Sequence, residues 1–183
     1  MARLEESVSS MRVTGGSSAP VVGIVGAGQL ARMTLQAAIS LDVPVALLAA
    51  RADDGAAKVS PTVMVGSPDS LDALVAFAPQ CDVLTFDHEL VDVEQLRQLE
   101  AAGYRLYPSS FTVAIAQNKA EQRARFGALG LPVPANQATA TGDDLVRFGA
   151  KHGWPVVAKA ARGGYDGRGV WIVPDEQAAR ALV

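Results

Sequence analysis

The fold is decided between residues 21 and 31, which read VVGIVGAGQLA. Residues 21–25 form an apolar run of strand length, and Gly26-Ala27-Gly28 supplies a tight turn. A helix is predicted from about Gln29, and we expect its core face to carry Leu30, Met33, Ala37, Ala38 and Leu41. A strand, a glycine turn and a helix in this order are typical of a parallel sheet with crossover helices.

The same alternation continues to residue 116. Further strands are predicted at residues 43–50, 63–65, 83–86 and 104–107. One helix is predicted to start at Ser67-Pro68-Asp69 with Ser67 as its N-cap, and another to run over about residues 93–102 and end at Gly103. We therefore expect an open α/β domain with a parallel, Rossmann-like sheet over residues 21–116. Residues 1–20 lack the apolar core of an export signal and are expected to form a disordered tail.

A second unit is predicted over residues 117–183. Helices are expected at about residues 119–129 and 143–152, strands at 156–159 and 170–173, and a further helix from Asp175. The two strands flank a glycine loop, and the sequence stops soon after the last helix has begun. This pattern indicates the beginning of a larger domain, so we expect the sequence to be the front part of a longer protein.

Composition excludes several classes of protein. The chain has 183 residues, 49% of them hydrophobic and 19% charged, with a net charge of −3 and a pI near 5.3. Nonspecific binding to nucleic acid or to an anionic membrane is a poor expectation for a weakly acidic chain, and no apolar run is long enough to span a bilayer. Because Cys81 is the only cysteine, no internal disulfide can form, and we expect a cytoplasmic location.

Charge is unevenly distributed along the chain. Residues 1–116 carry seven basic and thirteen acidic side chains, whereas residues 117–169 carry eight basic and four acidic ones, together with nine of the seventeen glycines. Flexible backbone and local positive charge suit a phosphate-bearing ligand, because amide N–H groups can approach the phosphate oxygens while cations offset their charge.

Lys159 ends an apolar strand four residues before the loop GGYDGRG at residues 163–169. Four glycines in seven residues allow the backbone to fold over a polyphosphate while the lysine ammonium reaches in from the strand. This is not a Walker A loop, because the GK[ST] ending is absent and a strand follows instead of a helix. The alternative is a β-hairpin whose glycines serve only turn geometry and whose lysine extends into solvent.

The turn at Gly26-Ala27-Gly28 fits the pattern G-x-G-x-x-A, which aims free amides and the positive helix end at an anion. A dinucleotide site would also need an acidic residue closing the second strand, but that strand ends at Ala49-Ala50-Arg51. We therefore expect the phosphate of another substrate here. A non-catalytic Rossmann-type nucleotide-binding module remains an alternative.

Residues 85–89, TFDHE, lie at the carboxyl end of a predicted parallel strand, where open α/β sheets place ligands. If the extended backbone continues, Asp87 and Glu89 project on the same side and could present carboxylates to an amine or to hydroxyls. A solvated loop is the alternative, and His88 is interpreted as a surface or structural histidine. Gln117-Asn118-Lys119 begins the basic stretch with Arg123 on the same helical face, a pattern that also fits a solvated helix.

In this order and spacing, the motifs GAGQLARM, LTFDHE, QNK, VVAK and GGYDGRG resemble those of the 5-(carboxyamino)imidazole ribonucleotide synthase family of the ATP-grasp superfamily. The likeness covers about residues 21–183, and GGYDGRG is its most specific element. It implies a pre-ATP-grasp domain followed by the opening of an ATP-grasp domain. The family carboxylates 5-aminoimidazole ribonucleotide with bicarbonate in purine biosynthesis, using ATP to make carboxyphosphate.

The resemblance implies an ATP site in the second unit. Lys119 and Lys159 match positions that hold the ATP phosphates, and Lys159 and Arg168 are the expected catalytic residues. The flap over the phosphates is matched by Gly164, Tyr165, Asp166, Gly167, Arg168, Gly169 and Val170.

It also implies a ribonucleotide site that is shared by both units. The turn residues Gly28, Gln29 and Leu30 match the segment that receives the 5′-phosphate, and Glu89 matches a carboxylate near the aminoimidazole. The flap residues expected to face the ribonucleotide as well are Tyr165, Asp166 and Arg168.

The sequence departs from the family at two positions and in length. Asp87 stands where the family often has glutamate and Ala31 where it often has glycine, and both changes are mild. The family's adenine-binding segment and acidic magnesium ligands lie beyond residue 183, so we expect no metal ligand within these residues and no turnover by them alone. A homodimer is expected for the full-length protein, and another ATP-grasp ligase with a different acceptor is the nearest alternative.

Overall fold

The computed structural model describes residues 19–164 and 167–182. The predicted tail at residues 1–20 therefore lies almost wholly outside the described residues. Within them, no helix combines the length and the apolar character that crossing a membrane requires.

The first unit contains a parallel sheet, as predicted, with four strands in place of the five that the sequence predicted. Its strands are β1 (Val22–Val25), β2 (Val45–Ala49), β3 (Val63–Val65) and β4 (Val83–Phe86), in the order β3-β2-β1-β4. At the carboxyl edge, Val25 pairs with Leu48 on one side and with Phe86 on the other. The segments that follow β1 and β4 therefore leave the same edge of the sheet as neighbours.

Helices cover both faces of this sheet. They are α1 (Gln29–Ser40), α2 (Leu71–Phe77), α3 (Val93–Ala101) and α4 (Ser110–Gln117), with a short 3-10 helix at Ala78–Gln80 after α2. Side chains alternate along β2, so Leu47 packs with α1 on one face and Leu48 packs with the other three helices on the opposite face. The result is the expected three-layer α/β arrangement.

The second unit is smaller. Its elements are α5 (Lys119–Ala128), α6 (Gly142–His152), β5 (Val156–Lys159), β6 (Val170–Val173) and α7 (Glu176–Leu182). The two strands pair antiparallel, with Val156 opposite Val173, and a four-residue core of Leu145, Val156, Val173 and Ala179 lies between them and helices α6 and α7. The other face of the hairpin is open, and Ile172 on it is 75% exposed.

The predicted core face of α1 was wrong. Of its five residues only Ala38 is buried, and Met33, for example, is 55% exposed. The buried positions are Ala31, Leu35 and Ala38, which pack against the sheet. Small alanines let the helix approach the strands closely, and the exposed large side chains are Leu30, Met33, Ile39 and Leu41.

Two other predictions about elements were also wrong. Residues 104–107 do not form a strand: they make one parallel bridge, between Leu84 and Leu106, and Pro108 has no N–H with which to extend the ladder. Helix α2 begins after Ser70, whose side chain accepts a hydrogen bond from the Ala73 amide, and not after Ser67. Ser67 instead accepts from the Asp69 amide in the turn before the helix.

Helix α4 was not predicted at all. Its N-cap is Ser109, whose hydroxyl accepts from the Thr112 amide, and its first residue, Ser110, is buried. The Glu100 carboxylate of α3 accepts hydrogen bonds from both the amide and the hydroxyl of Ser110. This anchor fixes the direction of α4, which ends at Gln117, where the second unit begins.

Candidate functional site

The glycine turn after β1 is closed by a carboxylate. The Gly28 amide donates to Asp87 Oδ2 at 3.0 Å, and the Asp87 side chain is only 6% exposed. Gly26 has a φ of +109°, and a Cβ there would lie 2.1 Å from Asp87 Oδ1. Glycine is therefore required at position 26 both by the backbone conformation and by the close approach of Asp87.

A cavity of about 280 Å³ opens in front of this turn. It brings together the three residues predicted to receive a 5′-phosphate, Gly28, Gln29 and Leu30. The Gly28 amide is already paired with Asp87, whereas the Gln29 and Leu30 amides stand in the first turn of α1, which no side chain caps. These two amides and the positive end of α1 are what the cavity offers to an anion.

Asp87 also lies close to His88. Its Oδ1 atom is buried and has no hydrogen-bond partner among the described residues, and it lies 3.6 Å from His88 Nε2. Both Asp87 and His88 line the cavity. The cavity therefore brings a carboxylate and an imidazole next to the start of α1.

Glu89 lies elsewhere. The sequence analysis expected Asp87 and Glu89 on the same side if the extended backbone continued, but β4 ends at Phe86 and the chain bends over residues 87–89. As a result Asp87 lines the first cavity, and Glu89 lines a second one of about 220 Å³. The other residues around this second cavity are Leu90, Gln117, Lys119, Arg162, Gly163 and Gly164.

Lys119 ties this second cavity to the glycine loop. Its backbone amide donates to the Ala161 carbonyl at 2.8 Å, and its Nζ atom donates to the Gly164 carbonyl at 3.3 Å. Two predicted ATP-site residues, Lys119 and Gly164, are thus in contact, and the predicted substrate residue Glu89 lines the same cavity. Arg162 adds a second cation there.

Lys159 stands apart from both cavities. It is opposite Val170 in the hairpin, on the outer face that also carries Val157 and Ile172. It is exposed and makes no hydrogen bond or ion pair with any residue in the described ranges. The structure therefore brings Lys119 and Gly164 together and does not bring Lys159 to either cavity.

The glycine loop is described at both ends. The Ala160 amide donates to the Gly169 carbonyl at 2.8 Å, which extends the hairpin by one step beyond Lys159 and Val170. A Cβ at Gly164 would lie 2.8 Å from the Arg168 carbonyl oxygen, so the two limbs of the loop are close. The predicted site residues Gly167 and Arg168 are exposed, while Tyr165 and Asp166 lie outside the described residues.

Sequence reasoning missed three features of these cavities. It gave Asp87 no part in holding the glycine turn, it gave Gln117 no role, and it did not single out Arg162. The position of Arg162 beside Gly163-Gly164 was a usable signal. The contacts of Asp87 and Gln117 depend on residues 59 and at least 26 positions away, and no local pattern reveals them.

Comparison with known proteins gives these cavities a family context. The family described as the ribonucleotide synthetase pre-ATP-grasp domain matches residues 20–117, and the ATP-grasp domain family matches residues 124–183. N5-carboxyaminoimidazole ribonucleotide synthases of Mycobacterium tuberculosis and Corynebacterium ammoniagenes are 47% and 40% identical over 88% and 90% of this chain. The chain spans 38% and 40% of the length of these relatives.

Solved structures agree with the sequence comparison. The N5-carboxyaminoimidazole ribonucleotide synthetase of Thermotoga maritima superposes with a TM-score of 0.76 at 29% identity, covering 90% of this chain and 43% of that one. An Aspergillus clavatus enzyme in complex with ADP and 5-aminoimidazole ribonucleotide gives a TM-score of 0.74 at 27% identity, covering 88% and 42%. Because the first family model covers more than half of the chain, these residues belong to the ribonucleotide synthetase pre-ATP-grasp family, with the beginning of an ATP-grasp domain after it.

Proposed function

We propose that these residues form the ribonucleotide-binding domain and the first ATP-binding elements of an enzyme that carboxylates 5-aminoimidazole ribonucleotide. The complete enzyme would consume ATP and bicarbonate and release ADP and phosphate, in purine biosynthesis. The domain division is proposed at residue 117, with residues 21–116 as the pre-ATP-grasp domain and residues 117–183 as the start of the ATP-grasp domain.

The observation that carries this proposal is the composition of the second cavity. Glu89 comes from the loop after β4, whereas Lys119 and Gly164 come from the elements that would hold ATP phosphates. An acceptor amine must meet the carboxyl group that has been activated at the γ-phosphate, so the two kinds of residue have to share one space. Their common cavity supports a carboxylation in which both ligands meet there.

The first cavity is proposed to bind the 5′-phosphate of the ribonucleotide. Support comes from the Gln29 and Leu30 amides at the start of α1, a position that favours anions. The Gly28 amide is assigned a structural role instead, since it is occupied by Asp87. Two phosphate-bearing ligands need two separate cradles, and the chain offers two.

The chemistry we propose is electrostatic. A bicarbonate oxygen attacks the γ-phosphorus of ATP and ADP leaves, giving carboxyphosphate. The ribonucleotide amine then forms a C–N bond with the carboxyl carbon, phosphate leaves, and the amine loses a proton. Lys119, Lys159, Arg168 and the flap amides are proposed to stabilise charge on the transferring phosphoryl group, and the flap Gly164 to Val170 to exclude water.

Magnesium, oligomerisation and location also belong to the proposal. The described residues contain no group of three or more His, Cys, Asp or Glu side chains that could hold a metal ion, and the magnesium ligands are proposed to lie beyond residue 183. A homodimer in the cytoplasm is proposed for the complete enzyme.

The test is Lys159→Ala in the complete enzyme, assayed as ADP formation that depends on both bicarbonate and 5-aminoimidazole ribonucleotide. Removing one charged contact to the transferring phosphoryl group should lower the rate about a hundredfold, equivalent to about 3 kcal/mol. The control is Lys151→Ala, which removes an exposed lysine from the last turn of α6 and should leave the rate unchanged.

Two results would overturn the proposal. One is wild-type ADP formation that does not depend on the ribonucleotide, and the other is a Lys159→Ala enzyme with the wild-type rate. The 183-residue chain, assayed alongside, is expected to show no turnover. NAD(H) binding at the first cavity in place of the ribonucleotide would favour the nucleotide-binding module instead.

A further inference from the structure

The Gln117 side chain donates both of its amide N–H groups to one loop. Nε2 donates to the Glu89 carbonyl and to the Val91 carbonyl, each at 2.7 Å. A primary amide has two N–H donors, so its donor capacity is fully used by these two carbonyls. The contact joins the last residue of α4 to the loop after β4, across at least 26 positions of sequence.

The loop that Gln117 holds is a tight turn. The Val91 amide donates to the Glu89 carbonyl at 2.9 Å, and the Leu90 amide donates to His88 Nδ1 at 3.2 Å. Val91 is buried in the core of the first unit. With Val91 anchored in the core and Gln117 bound to both ends of the turn, the backbone of Glu89 has a fixed position beside the second cavity.

The next two residues hold the opposite wall of that cavity. Asn118 caps α5, its Oδ1 accepting from the Ala120 and Glu121 amides. Lys119 binds the Ala161 carbonyl through its amide and the Gly164 carbonyl through Nζ. Three consecutive residues therefore fix the Glu89 turn, the start of α5 and the base of the glycine loop.

We propose that Gln117 is a positioning residue for the acceptor substrate. By donating hydrogen bonds to the Glu89 and Val91 carbonyls, Gln117 fixes the backbone that carries the Glu89 side chain. Glu89 is thereby positioned relative to Lys119 and Gly164 in the second cavity, in which the ribonucleotide amine meets the activated carboxyl group. This inference rests on the proposed function. Gln117 touches the loop and not the reacting atoms, so its effect is expected mainly on the binding of the ribonucleotide.

The first measurement is steady-state kinetics of the complete enzyme carrying Gln117→Met or Gln117→Glu. Both side chains are close to glutamine in length, and neither ionised glutamate nor methionine has an N–H to donate. A displaced Glu89 should raise KM for 5-aminoimidazole ribonucleotide about tenfold or more, since displacements of about 1 Å cost up to about a hundredfold. KM for ATP should stay within about twofold, because Lys119 keeps its own backbone contact to Ala161.

The matched control is Gln98→Met. Gln98 is exposed on α3, and the same substitution there should leave both KM values unchanged. Should the two Gln117 variants keep the wild-type KM for the ribonucleotide, or raise KM for ATP instead, the assignment is wrong. Wild-type enzyme without ribonucleotide-dependent ADP formation would mark the failure of the proposed function itself, and the inference would fall with it.

The second measurement does not depend on activity. In amide hydrogen exchange of the complete, ligand-free enzyme, Gln117→Met should speed exchange of the Val91 amide about tenfold or more, because the turn loses the two hydrogen bonds from Gln117. Exchange in β2 should be unchanged. Unaltered exchange at Val91 would show that the core contact alone holds the turn, which would overturn the role given to Gln117.

Discussion

The two glycine segments of this chain look alike in sequence and are built differently. At residues 26–28 the glycines lie against Asp87, in a turn whose Gly26 amide also donates to the Leu48 carbonyl of β2. At residues 163–169, a Cβ added to Gly163 or Gly167 would meet nothing within 4 Å among the described residues. The contacts that hold this second segment in the described part of the chain are at its margins, at Ala160 and Gly164.

This difference bears on the two phosphate sites proposed above. The first segment leads into the Gln29 and Leu30 amides of α1, whose directions are fixed by the helix before any ligand arrives, so little conformational entropy would be lost on binding. In the second segment Gly163, Gly167 and Arg168 are exposed, and Gly163 and Gly164 line a cavity together with Lys119 and Arg162. For the ATP site proposed above, charge from these two cations is therefore what the described part of this segment has beside it.

Gly26→Ala is expected to have the largest effect on stability. The new Cβ would lie 2.1 Å from Asp87 Oδ1 in a backbone with φ of +109°, so a buried carboxylate must move. We expect a loss of about 3–4 kcal/mol in the free energy of unfolding, measured by chemical denaturation. The control is Gly103→Ala, with φ of +92° and no heavy atom within 4 Å, which should lose only about 1 kcal/mol.

The clash predicted at Gly26 can be tested separately from the backbone conformation. In a Gly26→Ala/Asp87→Ala protein the Cβ no longer meets the carboxylate, so the two losses should sum to more than the loss of the double variant. Strict additivity would mean that the positive φ alone makes glycine necessary, and that the fixed cradle does not depend on Asp87.

Asp87→Ala is expected to have the next largest effect on stability. It leaves the Gly28 amide without its carboxylate acceptor, and hydrogen bonds to charged groups contribute about 1.5–3 kcal/mol, so we expect unfolding to become about 2 kcal/mol easier. Asp87→Asn keeps an acceptor oxygen and should lose less than half as much. Equal losses in the two variants would contradict the hydrogen-bonding role and point to packing alone.

The sequence was most informative where chain-breaking residues bound an element. Strands β5 and β6 have the predicted bounds, because Trp154-Pro155 precedes the first strand and the glycine loop separates the two. It was least informative for α1, whose sequence has apolar residues on more than one side. Which side faces the sheet is decided by how closely the helix can approach, and Ala31 and Ala38 permit the closest approach.

The site residues show a similar contrast, between residues that are close together in the sequence and contacts between distant ones. Gly28, Gln29 and Leu30, which the sequence groups because they are adjacent along the chain, line one cavity. The sequence motifs also include Lys119 and Gly164, which the fold places in contact. The sequence could not tell that Asp87 and Glu89 face different cavities, because that depends on a bend after β4 held by Gly28 and by Gln117. Contacts of this kind join residues far apart in the sequence, so they produce no periodic pattern of residue types from which they could be predicted.

Gly163→Ala tests the second segment and should lower the free energy of unfolding only slightly. Its φ is +73°, and the new Cβ has open space, so only the conformational penalty of about 1 kcal/mol applies. Unfolding measured under the conditions used for Gly26→Ala gives a direct comparison. A loss as large as that of Gly26→Ala would mean that the second segment is packed as tightly as the first, and the distinction between the two cradles would disappear.

The smallest expected effect is a pH dependence at β1, the strand that leads into the first segment. Cys81 is half-buried, and burial followed by the nearby charge of Asp82 raises the pKa of its thiol to about 11. A Cβ on Gly23 would lie 2.4 Å from Cys81 Sγ, so the thiol packs directly on β1.

The folded state holds the Cys81 thiol proton more tightly than the unfolded chain does, because the thiol of the unfolded chain has a pKa near 9.0. The resulting stabilisation is complete below pH 9 and is lost as the pH rises through 11. Allowing for partial exposure, wild-type protein should lose about 1 kcal/mol more than Cys81→Ala between pH 9 and pH 11 in denaturation experiments. Parallel pH profiles for the two proteins would show that the Cys81 thiol is not buried against β1 in the folded protein.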